Sequence, residues 1–597
     1  MQNAEALLGI IRDRGSRGLS LERVYRHLFN RELYLLAYGR IYRNRGAMTP
    51  GTTPETVDGM SLAKIDTIID ELRREKHRWT PVRRTYIPKK SGKLRPLGIP
   101  TWSDKLLQEV VRLILEAYYE PQFSDHSHGF RPGKGCHTAL REIRHNWVGT
   151  TWFVEGDIHA CFDRLDHKVL LSILAEGIHD GRFLRLIDEL LKAGYLEDWK
   201  LHATLSGSPQ GGVVSPVLSN IYLDRLDKFI ETTLLPMYNR GTRRRPNPTY
   251  SRIQSKSQTL RRQGRKEEAA GLRRQLRAMP SLDFHDPEYR RLRYLRYADD
   301  FALGLSGPRV EAEAIKQRLS EFLRDHLKLE LSQSKTLITH ARTGAARFLG
   351  YEVHVIQNDR FRDKRGVRTA NGNIGLRVPV EVVRAKCSAY MRNGKPIHLT
   401  ALVNNTVYNT VGQYQQEFRG VVEYYRLAYN LHQFNRLKWV MEQSLTKTLA
   451  HKLRITVSKV YDRFRTTLSD QYGSHPILQV RLPREGKPPL VARWGGISLR
   501  RRIDAILDDN PKPVWSDSRM ELVQRLLAKV CELCGAEIQG EVHHVRALKD
   551  LQREGQGDRP RWVEVMTRRQ RKALVVCSAC HDEIHRGRNT QNRAAKA

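Results

Sequence analysis

The stretch "YLRYADDFALGL", residues 294–305, places two adjacent aspartates, Asp299 and Asp300, inside an apolar run. Neighbouring carboxylates repel each other, and their burial is costly unless a cation lies between them. Aspartate also tolerates turn geometry, so a plain turn is the competing interpretation. A hairpin turn would let both side chains face one site, whereas strict strand alternation would send them to opposite faces. Other parts of the chain have to decide between these interpretations.

The chain is basic along its whole length. Its 597 residues include 103 Lys plus Arg against 65 Asp plus Glu, a formal net charge of +38. Such an excess favours a polyanion partner, with nucleic acid preferred over an anionic membrane surface. We find no apolar run of the ~18 residues that a membrane-spanning helix needs. The first residues meet charge too early for a secretory signal. We therefore expect a cytoplasmic (bacterial) or organellar protein that is not secreted and binds no membrane.

The length predicts several domains, and shifts in composition suggest their boundaries. Hydrophobic residues make up 40% of the chain, which is enough for real cores. A highly charged segment poor in apolar residues interrupts the second unit and predicts an inserted basic helical arm. The predicted units are an N-terminal extension (1–60), a helix–strand region (61–370, with the insertion at about 238–292), a helical region (371–470), a linker or small DNA-binding module (471–515) and a Cys/His-rich unit (516–597).

A third acidic position occurs in "TWFVEGDIHACFDRLDH", residues 151–167. The apolar residues at its start predict a buried strand, and Asp157 follows at the strand's end, where its side chain can project into a cleft. Phosphoryl transfer with two Mg²⁺ ions needs carboxylates from separate strands that converge on one point. Asp157 and a hairpin carrying Asp299 and Asp300 meet that need.

A basic hairpin is predicted further upstream, in "YIPKKSGKLRPLGIPT" at residues 86–101, with Gly92 at its turn. Lys93 and Arg95 on this hairpin are suited to hold a triphosphate. A site that joins nucleotides needs such cations beside its carboxylates.

Together these segments resemble a reverse transcriptase of the group II intron-encoded kind. The matching blocks, in chain order, are "GKLRPLGIPT", "HGFRPGKGCHTAL", "GDIHACFDRLDH", "SPQGGVVSPVLSNIYL", "YADD", "LSQSKT" and "FLGYEV". They cover about residues 86–355. The resemblance implies a right-hand arrangement of fingers and palm, an RNA-directed DNA polymerase activity that uses dNTPs, and Mg²⁺ ligation by Asp157, Asp299 and Asp300.

The same resemblance implies roles for three further residues. Phe162 would be the steric gate that excludes a ribose 2′-hydroxyl, Gln210 would contact the incoming nucleotide, and Lys335 would lie near the triphosphate. The competing interpretations are a core aromatic for Phe162 and a surface lysine for Lys335. Within the ordered set of blocks we favour the functional roles.

The helical region resembles the maturase part of the same family, in "EFRGVVEYYRLA" and "SLTKTLAHKLR". This resemblance implies a helical thumb at 371–470 that binds group II intron RNA and promotes its splicing. For Tyr424 and Tyr425 we favour core packing over stacking on bases. The basic arm is a second candidate RNA-binding surface, with a solvated helix pair as the alternative.

Four cysteines near the C-terminus form two CxxC pairs, and this spacing predicts a tetrahedral zinc site. A unit of this size needs such a staple to fold independently. In a large chain with no export signal, the pattern favours metal over disulfides. The predicted structural Zn²⁺ ligands are Cys531, Cys534, Cys577 and Cys580.

Histidines between and after these cysteines make the unit resemble an HNH endonuclease with a ββα-metal fold. The resemblance implies that His544 is the general base, and that His543, His581 and His585 hold a divalent ion, Mg²⁺. His581 and His585 are four residues apart and face the same way on a predicted helix. Two alternatives stay open: one histidine could serve the zinc, or the unit could be a DNA-binding module without activity. The second strand, "RKALVVC", lacks the asparagine common in HNH units, and Lys572 lies near that position.

The combined prediction is an α+β multidomain protein with a right-hand fingers–palm, a helical thumb and a C-terminal ββα-metal unit. Its function would be intron splicing and retrohoming: the nuclease cuts one strand of a double-stranded DNA target, and the palm extends the new 3′ end on the RNA template. The rivals are a non-mobile reverse transcriptase of a defence or diversification system and an RNA-binding splicing factor with inactive enzyme sites. The sequence leaves the oligomeric state open.

Overall fold

The chain folds into mixed helical and sheet units, as the sequence predicted, in a computed structural model. Across the described part of the chain, the helices are all too short or too polar to cross a membrane. The described residues are 3–44, 46–88, 92, 94–197, 200–202, 212–283, 286–364, 366, 369–470, 473–484, 487–507, 521–546, 551, 560–569 and 571–586.

The N-terminal helices surround one buried helix, α4. Thr101 begins α4 by accepting a hydrogen bond from the Asp104 N–H, and most side chains of the helix are buried. Helices α1 and α2 pack on it and bury their leucines and tyrosines there. The elements are α1 (Ala4–Ser16), β1 (Leu21–Glu22), α2 (Arg31–Ile41), β2 (Met60–Ser61), α3 (Leu62–Arg73), β3 (Val82–Pro88), β4 (Leu94–Ile99) and α4 (Trp102–Tyr119).

The next segment supplies the first palm strand and its supporting helices. Its elements are α5 (Cys136–Asn146), β5 (Trp152–Asp157), α6 (Cys161–Arg164), α7 (His167–Gly177), β6 (Ile178–His179), α8 (Gly181–Lys192), β7 (Tyr195–Glu197), β8 (Lys200–His202), α9 (Ser215–Phe229) and α10 (Leu235–Tyr238). Strands β7 and β8 extend the β3–β4 hairpin into a four-stranded fingers sheet of order β4-β3-β7-β8.

The predicted basic arm is an antiparallel helix pair, α11 (Pro248–Arg262) and α12 (Lys266–Leu276). Asn247 caps α11 by accepting hydrogen bonds from two N–H groups of the first turn. Ser257 and Ala269 join the two helices through a buried hydrogen bond, while the arginines and lysines face solvent. The arm is therefore a solvated basic projection with little core of its own.

After the arm the chain completes the palm with β9 (Arg291–Tyr297), β10 (Asp300–Ser306), α13 (Arg309–Leu327) and β11 (Leu337–His340). The palm sheet has the order β11-β5-β10-β9, and all its pairings are antiparallel. Strands β9 and β10 form a hairpin whose turn contains Ala298 and Asp299. The hairpin predicted for the adjacent aspartates is thus present.

The thumb region combines short strands with two long and two short helices. Its elements are β12 (Ala346–Phe348), β13 (Tyr351–Val355), β14 (Ile374–Arg377), α14 (Val380–Ser388), β15 (Met391–Arg392), β16 (Lys395–Pro396), α15 (Val407–Tyr424), α16 (Phe434–Leu453) and α17 (Val457–Phe464). The Tyr424 hydroxyl donates to the Leu349 carbonyl at 2.8 Å, and Tyr425 is 7% exposed. Both tyrosines belong to the core, as expected.

The segment after α17, for which the sequence predicted a linker or a small DNA-binding module, contains a sheet. A three-stranded antiparallel sheet begins at residue 465 with β17 (Arg465–Asp470), β18 (Gly473–Arg484) and β19 (Lys487–Trp494). The expected boundary at 470 falls inside the β17–β18 hairpin. Trp494 is 1% exposed and packs on Phe418 of α15, so burial of one large aromatic attaches the sheet to the thumb.

The C-terminal unit has the predicted ββα arrangement. Its elements are α18 (Glu521–Leu527), β20 (Glu541–His544), α19 (Arg561–Arg569), β21 (Ala573–Val576) and α20 (Ser578–His585). Strands β20 and β21 pair antiparallel, and α20 follows directly. On its other side β20 pairs with β2, so residues of the N-terminal extension form the third strand of this sheet.

Candidate active sites

The three predicted polymerase aspartates lie together at one end of the palm sheet. Asp300, the first residue of β10, is the direct register partner of Asp157, the last residue of β5. Directly opposed residues of antiparallel strands have Cα atoms only about 4.5–5.5 Å apart. Asp299 precedes Asp300 in the turn, where Ala298 has a φ of 57°. The tight turn thereby places both neighbouring carboxylates beside Asp157.

Negatively charged side chains are crowded together at this end of the palm sheet. Burial raises the pKa of Asp299, and the nearby Asp157 raises it further, against the opposing effects of Arg95 and Lys335. Burial, then repulsion by Asp299 and Asp157, raises the pKa of Asp300 to about 6. Lys335 donates to both oxygens of Asp157, with Nζ–O distances of 3.0 and 2.9 Å. A cation is therefore favoured at this position.

The other predicted nucleotide-binding residues are placed as follows. Phe162, on α6, is 9% exposed and meets Phe130 edge-on with ring centroids 6.4 Å apart. Arg95, on β4, is close enough to Asp299 to stabilise its charge. Lys93 and Gln210 lie outside the described residues.

A buried arginine below the turn was not predicted from the sequence. Arg296 is 0% exposed, and its guanidinium forms an ion pair with Asp227 on α9 at 2.6 Å. It also donates to the Ala298 carbonyl at 2.8 Å and so holds the backbone of the turn. The available signal was a charged residue inside an apolar strand, "YLRYADD".

Gly129, in the "HGF" block, lies against the same turn. A Cβ atom at this position would be 2.3 Å from the Ala298 nitrogen, so no larger residue fits. Asn220 donates to the Gly129 carbonyl at 2.9 Å and accepts from Arg296 at 3.1 Å. Two sequence blocks far apart in the chain therefore support the aspartate turn.

Asp300→Asn is expected to stabilise the palm in the presence of a chelator. The pKa of Asp300 rises from its ordinary value of 3.8 to about 6 in the folded state. Between these pH values the folded state binds more protons than the unfolded state, so the free energy of unfolding falls as pH rises. Neighbouring residues crowd the Asp300 carboxyl, but more than a third of the residue is exposed to solvent, so we expect a gain of only about 1 kcal/mol above pH 7, and none below pH 4. Hydrogen exchange of β5 and β10 amides at both pH values measures the gain; equal protection of variant and wild type at pH 7.5 would contradict it.

In the C-terminal unit the four predicted cysteines converge. Their sulfur atoms all lie within 4.8 Å of one another, and the Cys534 and Cys577 sulfurs are 3.9 Å apart. The Cys531 sulfur accepts the N–H groups of Cys534 and Cys577, and these hydrogen bonds, against the effect of burial, lower the pKa of its thiol to about 7. Four thiols in this arrangement, with one favouring the thiolate form, fit a closed tetrahedral zinc site.

The three histidines predicted to bind metal form a second cluster. His543 is on β20, and His581 and His585 are on one face of α20, with their Nε2 atoms 3.2 Å apart. A fourth member is Asp58, from the loop before β2. Within the described residues, these two clusters are the groups whose possible metal-ligand atoms all lie within 4.8 Å of one another. The ligand atoms of Asp157, Asp299 and Asp300 do not meet this criterion.

His544 points away from this cluster, because successive strand residues face opposite sides. It is 6% exposed, and its Nε2 lies 2.9 Å from the hydroxyl of Tyr38 on α2. Burial lowers the pKa of His544 to about 4, which keeps the imidazole neutral at pH 7. The adjacent histidines therefore have separate environments.

Asp58 is charged in this environment. Burial alone would raise the pKa of Asp58, but His543, His581 and the N–H of His544 hold it well below its usual range. Burial lowers the pKa of His581, and the carboxylates of Asp58 and Glu541 more than reverse this effect.

The Lys572 carbonyl accepts the Val545 N–H just before β21, near the position where HNH units carry asparagine.

Comparisons with known proteins identify families along the chain. Three families match the chain: reverse transcriptase (RNA-dependent DNA polymerase) over residues 87–353, type II intron maturase over 381–476, and AI2M/AI1M-like HNH endonuclease over 531–581.

Two curated relatives match nearly the whole chain, and a third matches more than half of it. Group II intron-encoded protein LtrA of Lactococcus lactis subsp. cremoris is 39% identical over 94% of this chain and 95% of its own. An uncharacterised 91 kDa protein in the cob intron of Schizosaccharomyces pombe is 34% identical over 95% of this chain and 70% of its own. Protein YkfC of Escherichia coli is 32% identical over 59% of this chain and 87% of its own. The chain belongs to the group II intron-encoded protein family, the multifunctional reverse transcriptases and maturases with an HNH endonuclease domain.

Proposed function

We propose that Asp157, Asp299 and Asp300 carry the polymerase reaction by holding Mg²⁺. The fit is supported by three carboxylates from β5 and the β9–β10 hairpin at one sheet end, where burial and then mutual repulsion raise the pKa of Asp300 to about 6. When bound, Mg²⁺ stabilises the charge that develops on the phosphoryl oxygens.

The surrounding residues position the incoming dNTP. Arg95 lies near Asp299, and the ammonium of Lys335, whose side chain is 67% exposed, can move from Asp157 to the triphosphate. The buried ring of Phe162 lies five residues beyond Asp157, the end of β5, where it would close the space needed by a 2′-hydroxyl. Lys93 and Gln210 would complete this group.

The nuclease reaction is assigned to His544 as general base, with His543, His581 and His585 holding Mg²⁺. Burial lowers the pKa of His544 to about 4, which keeps its imidazole neutral but also makes it a weak base, so accepting a proton from water requires that solvent reach the ring. The structural zinc belongs to the four cysteines. In the described conformation Tyr38 covers His544, so DNA cleavage requires that this contact open.

Intron RNA is the partner that the thumb and the basic arm fit. Trp439 on α16 is 57% exposed, and Arg436 is exposed one turn earlier. An exposed indole beside a guanidinium is suited to stack on an unpaired base and to contact a phosphate. The arm adds exposed cations, and double-stranded DNA is the second nucleic-acid partner.

These activities combine into intron mobility. The nuclease would nick one strand of a DNA target, and the palm would extend the new 3′ end on the intron RNA. The observation that carries this proposal is the presence of a carboxylate triad and a histidine cluster in one basic chain. We also propose a cytoplasmic or organellar location. The proposed unit boundaries are those predicted from the sequence, with the sheet that begins at 465 added to the thumb.

His544→Ala is expected to abolish nicking and, with it, cDNA synthesis on an intact target. General-base loss costs about 10²–10⁴-fold. A target nicked beforehand at the cleavage site should restore cDNA synthesis to the wild-type level, because the palm is unchanged. The control is His432→Ala, which removes an exposed thumb histidine. Nicking by His544→Ala at the wild-type rate would exclude His544 as the base; failure of the pre-nicked rescue would exclude the proposed sequence of reactions.

A further inference from the structure

The histidine cluster of the nuclease contains a carboxylate that comes from a distant part of the chain. Asp58 lies 486 positions before His544, in the loop of the N-terminal extension. Its Oδ2 is 2.8 Å from the Nε2 of His585, and its Oδ1 is 3.3 Å from both the Nε2 of His581 and the Nδ1 of His543. The side chain is 15% exposed. A charged group is thus buried at the centre of three imidazoles.

The backbone fixes Asp58 in this position. The Asp58 Oδ1 accepts the His544 N–H at 2.7 Å, and the Gly59 N–H donates to the Val542 carbonyl at 3.0 Å. Gly59 has a φ of 74°, a left-handed conformation that favours glycine. The β2–β20 pairing then continues with Met60 opposite Val542. This local sequence therefore turns the carboxylate into the cluster.

We propose that Asp58 is a fourth protein ligand of the divalent ion at the nuclease site, so that this metal centre is shared between the polymerase's N-terminal extension and the C-terminal unit. The inference rests on the proposed metal-binding role of the three histidines and extends it to a residue outside the HNH unit.

The separations fit one ion. Ligands about 2.0–2.1 Å from one divalent ion lie about 2.9 Å apart in the octahedral geometry that Mg²⁺ prefers and about 3.3 Å apart in a tetrahedral one. The contacts of Asp58 Oδ1 with His543 and His581 are both 3.3 Å, and the two α20 histidines are 3.2 Å apart. This agreement involves atoms from three separate elements of the chain.

The hydrogen-bonding state of the histidines also points to a cation. His581 pairs through its Nδ1 with Glu541 at 2.8 Å, the carboxylate–histidine arrangement that leaves Nε2 with a lone pair directed at a metal. His543 is 4% exposed; its Nδ1 lies 3.3 Å from the Asp58 Oδ1 without hydrogen-bond geometry, and within the described residues its Nε2 has no hydrogen-bond partner. Buried polar groups normally have a partner, and a bond to a metal would supply one for this imidazole.

The test is metal binding by the full-length protein with its cysteine site already loaded with zinc. Co²⁺ is the probe, because imidazole-rich sites bind it more tightly than carboxylate sites do. Asp58→Asn keeps an oxygen for the His544 N–H and removes the charge; we expect at least about tenfold weaker Co²⁺ binding and a changed visible spectrum of the bound ion. Asp70→Asn, an exposed carboxylate of α3, is the matched control and should bind as the wild type does.

His581→Ala separates failure of this proposal from failure of the nuclease assignment. Weakened Co²⁺ binding in His581→Ala together with wild-type binding in Asp58→Asn would overturn the role of Asp58 and leave the histidine site in place. Wild-type binding in both variants would overturn the metal site itself. Unchanged affinity with faster nicking in Asp58→Asn would show that the carboxylate blocks the site, which also contradicts the proposal.

Discussion

Primer extension by the Asp299→Asn variant is expected to fall at least about 10³-fold below the wild-type rate. Asp299 lies in the turn between β9 and β10, next to Asp157 and Asp300. Removal of its charge takes away a proposed metal ligand, and a loss of about 4 kcal/mol of transition-state stabilisation corresponds to this factor. Asparagine has the same size and tolerates the same turn, so the substitution isolates the charge. Single-nucleotide incorporation on an RNA template at saturating dNTP measures the effect.

The same variant provides an internal control for folding. DNA nicking is proposed to use the separate histidine site and should stay within about twofold of the wild type. Asp325→Asn, which changes an exposed aspartate of α13, should leave extension unaffected. Extension by Asp299→Asn within tenfold of the wild-type rate would exclude this carboxylate from the metal site.

Arg296→Met is expected to destabilise the β9–β10 hairpin by about 3–5 kcal/mol. The substitution leaves Asp227 charged, fully buried and without its guanidinium partner, and breaking a buried pair has this order of cost. The Tyr294 hydroxyl, which donates to Asp227 at 2.6 Å, compensates only part of the lost charge interaction. The turn also loses the hydrogen bond to the Ala298 carbonyl. Polymerase activity should fall with the hairpin, since Asp299 and Asp300 are placed by it.

Hydrogen exchange of the β9 and β10 amides measures this destabilisation locally, which is suitable for a multidomain chain. Arg293→Met is the matched control: it lies on the same strand, but its guanidinium is near the surface, where it donates to the Asn146 carbonyl. That change should cost less than about 1 kcal/mol. Equal exchange in the two variants would show that the buried ion pair does not hold the hairpin.

The sequence predicted the parts of the molecule in which chemistry leaves a local pattern. Adjacent aspartates in an apolar run indicated the hairpin, and Asp157 at the end of an apolar stretch indicated its partner strand. The i,i+4 spacing of His581 and His585 placed both on one helical face, and the structure has them there. Each of these inferences depends on the periodicity of a single element.

The remaining features depend on contacts between distant elements, which no local pattern reports. Asp58 lies in a Gly- and Pro-rich loop, and only the pairing of β2 with β20 brings it to the histidines. From the sequence alone, Tyr38 looks like an ordinary core tyrosine of α2; only the structure shows its hydroxyl beside His544. The sheet beginning at 465 was missed because its Pro, Gly and Arg residues weaken the strand pattern, and burial of Trp494 compensates for them.

The pairing of β2 with β20 has a consequence for biosynthesis. During translation, Met60 and Ser61 of β2 are synthesised almost five hundred codons before their β20 partners, Glu541 and Val542. Strand β2 therefore has no β20 partner while the polymerase region is being synthesised. Nascent chains that stop before that point carry a polymerase without a cutting unit. Cleavage competence thus arises last during translation, after the chain that must copy the RNA has already been made.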